Sequence, residues 1–362
     1  MKGLYRYLSP FSPDQSGAVA ELFEFGGIIV ILDAGGCAGN ICGFDEPRWG
    51  TMPSAVYSAG IRDLDAILGR DERTVGKIGS AAEAVPNANF IALIGTPVPA
   101  VVGTDLKALA RMCEKRFNLP TIAIETYGME YYDKGAALSF MTLLKALEDS
   151  SLPCGEAEPG GIGVLGATPL DLLSLDGADR IRTLLEQEEE DDVYVFGMGS
   201  GYDELPHLFS VGRNIVISPA GLKPAKYLEK HYGIPYEVDY PLCAETCRRV
   251  FDAVPAGAKR ILILHQQVLA NALRDILRET GADVSAGTFF EQDPALCRDG
   301  DKKFKGEDEF IAFVKEGDFD VILGDPMYQM ALKWWDGTFL SLPQYSVSGE
   351  AHELKLEKDL FA

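Results

Sequence analysis

Short, unbroken apolar runs, each closed by small or polar residues, alternate along this chain with stretches of helical period. Residues 28–32 (IIVIL) lead straight into Asp33-Ala-Gly-Gly-Cys. Residues 89–95 (NFIALIG) lead into a Thr-Pro-Val-Pro-Ala exit loop, and 120–125 end at Glu125-Thr-Tyr-Gly. The pattern restarts at 161–166, 193–196 and 213–217, and again at 260–264, 283–286 and 320–323. Apolar runs this short and continuous suit strands buried on both faces. Between them, periodicity predicts helices over 16–25, 75–85, 105–117, 135–150, 223–232, 268–280 and 307–316. Cys113 falls on the apolar face of one of these. Thr168 and Pro169 read as the cap and first turn of a further helix directly after the 161–166 strand. Strand–helix alternation throughout predicts an α/β protein built on mostly parallel, doubly wound sheets.

Two Pro/Gly-rich breaks, SLPCGEAEPG at 151–160 and PAGA at 255–258, divide the pattern into three Rossmann-like units: 1–152, 153–254 and 255–362. A length of 362 residues accommodates that number. Charge then narrows the partners. A net charge of −22 repels nucleic acid and anionic lipid, so neither is expected. Part of that charge is the EQEEEDD run at 186–192, read as a solvated helix end. The first fifteen residues have no apolar core of a signal peptide, and no run approaches the roughly 18 apolar residues of a membrane span. Seven cysteines scattered over a long chain do not form a secreted disulfide framework, so a cytoplasmic protein with reduced thiols is expected.

The residues with chemistry gather at strand ends. Cys37 and Cys42 flank a glycine-rich turn after 28–32, with Gly35 and Gly36 letting the backbone approach a ligand. Loops at the carboxyl ends of parallel strands are where open α/β sheets bind ligands. Two thiols there suit a soft metal or an iron–sulfur cluster, although buried cysteine also packs as a small hydrophobe. The 43–58 loop carries Asp45, Glu46, Arg48 and Trp49, and long loops of this kind are often functional. Trp49 fits a core cap equally well. Thr96, Glu125, Ser218, His265 and Asp325 stand at other strand ends. Glu125 or His265 could supply protons, and His265 fits a satisfied, helix-capping histidine as well. Cys243 and Cys247, four apart, read as one helical face packed on the sheet. Cys154 and Cys297 have no partner in sequence. The glycine run from Gly197 lacks dinucleotide spacing, and no P-loop, GxSxG or HExxH motif occurs.

Several phrases together resemble the nitrogenase component 1 family, which spans nitrogenase catalytic subunits, cofactor scaffolds and dark-operative tetrapyrrole reductases. VILDAGGCAGN from Val30 looks like the family's strand and cysteine loop, with Cys37 at a cluster-ligand position and Asp33 where the family has His. Segments 58–69 and 91–105, and 214–218 with YLEKHYGIP at 227–235, are similar to further family stretches in the same order. The departures bear on chemistry. No cysteine lies near 9–12 or at Thr96, and the ligands of the family's catalytic cofactor correspond to Ser218 and Gln344. The resemblance therefore implies a reductase component that does not reduce dinitrogen. Cys37 and Cys42 of two protomers, in a homodimer or paralogous heterodimer, would share one [4Fe-4S] cluster. A separate P-loop ATPase iron–sulfur protein would supply electrons, so ATP enters only through that partner. A tetrapyrrole-like or other unsaturated small molecule would be reduced among Thr96, Ser218 and Asp325. A non-catalytic metallocofactor carrier and a metal-free ligand-binding protein stay open beside it.

Overall fold

The computed structural model describes residues 5–349 except 51, 53, 63, 64, 66, 67, 70 and 156. Residues 63, 64, 66 and 67 of the family-like 58–69 segment and the charged tail from 350 lie outside the described residues. Three sheets follow the chain. The first comprises β1 (Ile28–Ile31), β2 (Val56–Ser58), β3 (Ile91–Ile94) and β4 (Thr121–Ile124) in the order β2-β1-β3-β4. The second comprises β5 (Ile162–Ala167), β6 (Val193–Gly197), β7 (Arg213–Val216) and β8 (Tyr236–Val238) in the order β6-β5-β7-β8. The third runs β11-β10-β9-β12-β13, from β9 (Arg260–Leu264), β10 (Asp283–Thr288), β11 (Lys302–Lys303), β12 (Val321–Gly324) and β13 (Thr338–Ser341). Every pairing among the described strands is parallel. The order in which strands are added therefore reverses between β1 and β3, between β5 and β7, and between β9 and β12, and such switch points open a crevice at the strands' carboxyl ends.

Two helices lie between the units. Asp14–Leu22 has no exposed residue, and it crosses Tyr132–Glu148 at backbone contact. A Cβ on Gly17 would sit 1.8 Å from the Tyr132 carbonyl oxygen, and one on Gly135 would sit 1.7 Å from that of Asp14. Only glycine permits this reciprocal approach. The apolar core continues from this helix pair into the first two sheets, through Leu22, Phe140, Leu144, Leu165 and Leu222.

The central strands match the apolar runs. The strands β2, β8, β11 and β13 go unpredicted because none is buried along its length or has a continuous apolar run. Three local expectations are corrected. Residues 97–102 are a helix rather than a loop, with Thr96 in the extended cap position. Thr168 caps no helix: its carbonyl accepts from Asp171 and Leu172 in a single turn, and the helix starts at Gly177. Trp49 is 38% exposed and caps no core, whereas Cys113 is fully buried as expected. The 186–192 acidic run is exposed at the end of helix Gly177–Glu189. No helix among the described residues is long and apolar enough to cross a membrane.

Candidate functional site

At the first switch point the chain leaves β1 into a five-residue helix, Gly36–Asn40, entered through Gly35 at φ 112°. That dihedral is open to glycine and strained for other residues. Asp33 fixes the turn. Its carboxylate accepts the Ala38 amide (2.8 Å) and the Ser58 hydroxyl (2.6 Å), joining the cysteine loop to β2. Thr96 closes the other side by donating to the Leu32 carbonyl (2.7 Å). Cys37 and Cys42 are both half-buried on this turn. Burial and then the Asp33 carboxylate raise the Cys37 pKa, while the Thr96 hydroxyl works the other way. Burial, Glu46 and Asp33 push Cys42 up to about 11. Both are therefore thiols until a cation displaces their protons.

A cavity of about 540 Å³ opens beside Cys37, walled by Phe11, Phe44 and Met129 and floored by Gln15 and Asp45. Gln15 is 6% exposed, and its Oε1 has no hydrogen-bond partner. Asp45 accepts from Ser12 (3.0 Å) and Ser16 (2.7 Å), and burial raises its pKa. The 43–58 loop around it is held by Arg48. That side chain is buried, grips Glu46 with two nitrogens and donates to the Ala20 carbonyl. Arg48 thus has a structural task, and Asp45 and Phe44 are the loop residues that face the cavity.

The other two switch points face each other and are closed. Tyr132 donates its hydroxyl to Asp171, which also binds Thr168 (3.3 Å) and Ser218. Gln344 donates to the Tyr132 oxygen (3.3 Å), and its own amide N–H reaches Asp325 (2.9 Å). Ser218 donates to the Gly166 carbonyl (2.8 Å). Burial raises Asp171 to about 7 and Asp133 to about 6. Glu21 is also sealed in; burial lifts its pKa well above the usual range, and Oε1 has no partner.

The strand-end residues therefore separate into groups. Thr96 stands with Cys37, Cys42, Gly35 and Gly36. Ser218 and Asp325 join the closed junction, with His265 beside them against the Pro343 carbonyl (3.2 Å). Burial depresses His265 to about 4, which leaves it neutral at ordinary pH. Glu125 lies apart at the surface, ion-paired to Lys107 (2.9 Å). Neither Glu125 nor His265 lines the cavity by Cys37. Tyr132 and Asp171 have no local signal, because Tyr132 finds its partners 39 and 212 residues away; Gln344 is singled out only through the resemblance.

A family model described as Nitrogenase component 1 type Oxidoreductase matches residues 42–256. The chain belongs to that family. Two solved structures, titled "Nitrogenase Cp1 at pH 6.5" and "Nitrogenase Cp1 at pH 5", share the fold with TM-scores of 0.72 and 0.70. Each is 14% identical and aligns over 95% of this chain, covering 88% and 85% of its own. No curated protein matches significantly. Nitrogenase component 1 type proteins generally carry iron–sulfur clusters, and they pair with an ATP-dependent reductase component. Among the described residues no three His, Cys, Asp or Glu side chains converge to hold a metal, so one chain alone does not complete a cluster's ligand set. At the junction, Ser218, Gln344 and Tyr132 are fully buried, Ser218 donating to the Gly166 carbonyl and Gln344 to the Tyr132 oxygen. A metallocofactor does not fit there.

Proposed function

We propose that this nitrogenase component 1 type protein is the electron-accepting half of a two-component reductase. Two protomers place Cys37 and Cys42 around one shared [4Fe-4S] cluster. The observation that carries this reading is the pair of half-buried thiols at the open switch point, beside a cavity whose Phe44 and Met129 are 62% and 79% exposed. Exposed apolar residues beside a half-complete donor set suit a second copy.

When bound, the cluster supplies single electrons. The chain's own residues set the conditions. Asp33, Asp45 and Glu46 surround the loop, and no Lys or Arg lines the cavity among the described residues. Negative surroundings oppose the added electron and lower the potential, which suits a donor driven by ATP hydrolysis. Asp45, its two carboxylate oxygens held by the Ser12 and Ser16 hydroxyls and its pKa raised by burial, is the acid beside the cavity and takes the place expected of Glu125 or His265. Gln15 Oε1 accepts a hydrogen bond from an unsaturated, N–H- or O–H-bearing substrate, and Phe11 and Phe44 exclude water. Thr96 positions the loop. Ser218 and Asp325 brace the domains, and they meet a substrate only if the junction parts.

The test mixes the cluster-loaded protein with a P-loop iron–sulfur reductase and follows reduction by electron paramagnetic resonance. Reduction with ATP and none with ADP is expected. Equal reduction without nucleotide hydrolysis would contradict the reading. Passage of the intact cluster to an apo-acceptor without reduction would establish the carrier function instead.

A further inference from the structure

A second pair of cysteines lies far from the cluster loop in sequence and topology. The expectation that Cys243 and Cys247 pack on the sheet is corrected by where their helix begins. Ala244–Ala253 starts one residue late for that, leaving Cys243 exposed at the cap position in extended conformation (φ −67°, ψ 154°) and Cys247 half-buried. The two sulfurs share the first turn. Cys243 Sγ lies 3.2 Å from the hydroxyl of Thr246, the neighbour of Cys247. Cys247 Sγ donates to the carbonyl of Leu242, the neighbour of Cys243, at 3.7 Å. The Cys247 amide closes the turn on the Cys243 carbonyl (3.0 Å). Residues four apart on a helix have Cα atoms about 6 Å apart, inside the roughly 4.4–6.8 Å that a disulfide spans.

The two thiols are chemically unequal. Hydrogen bonds from the Thr246 hydroxyl and from the backbone N–H groups of Thr246 and Glu245 hold Cys243 below its ordinary pKa, outweighing burial. Burial raises Cys247. A low-pKa exposed thiol beside a protonated, less accessible one is the arrangement of an attacking and a resolving cysteine. Cys243 also opens onto a groove of about 420 Å³, walled by Leu173, Ile181, Leu184, Tyr240 and Leu242.

We propose that Cys243 and Cys247 are a thiol–disulfide exchange pair whose co-reactant is a small, uncharged organic disulfide seated in this groove. The Cys243 thiolate attacks one sulfur of the disulfide, forming a mixed disulfide and expelling one thiolate. Cys247 then attacks the Cys243 sulfur and expels the second thiolate, which takes up the Cys247 proton. The pair is oxidised by two electrons, and the organic disulfide is reduced to two thiols. The net negative charge of the protein disfavours anionic disulfides.

The test treats the full chain with bis(2-hydroxyethyl) disulfide and maps the products by peptide mass spectrometry. Wild type should yield a Cys243–Cys247 disulfide without a lasting adduct. Cys247→Ser should stop at a stable mixed disulfide on Cys243, and Cys243→Ser should give neither product. Serine is itself a good helix cap, so the last variant keeps the helix start. Native Cys243 should react at least tenfold faster than exposed Cys297, and unfolding in urea should erase the difference. A lasting adduct on wild-type Cys243, or equal rates at Cys243 and Cys297, would overturn the proposal.

Discussion

The first switch point and the junction of the other two are built by the same parallel topology, yet they end in opposite states. The first is open. It offers two thiols, a cavity and an orphan amide oxygen on Gln15. The junction is closed by Tyr132, Asp171 and Gln344, which bond to one another and leave the Gln344 Oε1 buried without a partner. The fold fixes where a crevice can form, and the side chains decide whether it stays one. Within one chain, the first switch point thus keeps half-buried thiols beside a cavity, and the junction is a polar core.

The largest effect should come from the glycines that let the closing helices touch. Gly135→Ala, or Gly17→Ala, drives a methyl into a backbone carbonyl and should cost about 3 kcal/mol or more, the upper end for overpacking, read from the urea midpoint. Unchanged stability would mean that the helix pair does not hold the junction shut.

Next comes the junction's polar network. Tyr132→Phe leaves Asp171 and Gln344 short of a partner and should cost about 1–3 kcal/mol. The same carboxyl gives a pH signature. Asp171 titrates near 7 when folded against 3.8 ordinarily, and Asp133 near 6, so the folded state holds protons that the unfolded state has lost. Stability should be fullest below about pH 4 as far as these groups decide it, and should fall as pH rises to 7. His265, depressed to about 4, acts the other way, and its contribution is lost as pH falls from 6.5 through 4. Asp171→Asn should flatten the 4–7 decline. An unaltered profile would remove Asp171 as its source.

The smallest effect should lie at the open site. Asp33→Ala frees the buried Ala38 amide and the part-buried Ser58 hydroxyl. It should cost about 1 kcal/mol while raising the alkylation rate of Cys37 several-fold. A slower reaction would show that Asp33 does not order the loop.

The sequence made the open site legible and left the junction hidden, for a physical reason. The cysteine loop is local: β1, Gly35, Cys37 and Cys42 lie within fifteen residues, and the central strands declare themselves by burial on both faces. The junction is assembled from Tyr132, Asp171, Ser218, Asp325 and Gln344, whose contacts cross all three units. Thr168-Pro169 shows how local signals mislead there. It has the residues of a helix start, yet a single turn delivers Asp171 to Tyr132. Ser218 and Asp325 were legible as strand ends, but their engagement by neighbouring backbone was not.

The most direct test of the account is iron and acid-labile sulfide per pair of chains, on protein purified without oxygen and sized in the same run. The account predicts a dimer with about four of each, as one cubane requires, and near-complete loss in Cys37→Ser or Cys42→Ser. A metal-free monomer after reconstitution, or a full cluster in the Cys37→Ser protein, would contradict it.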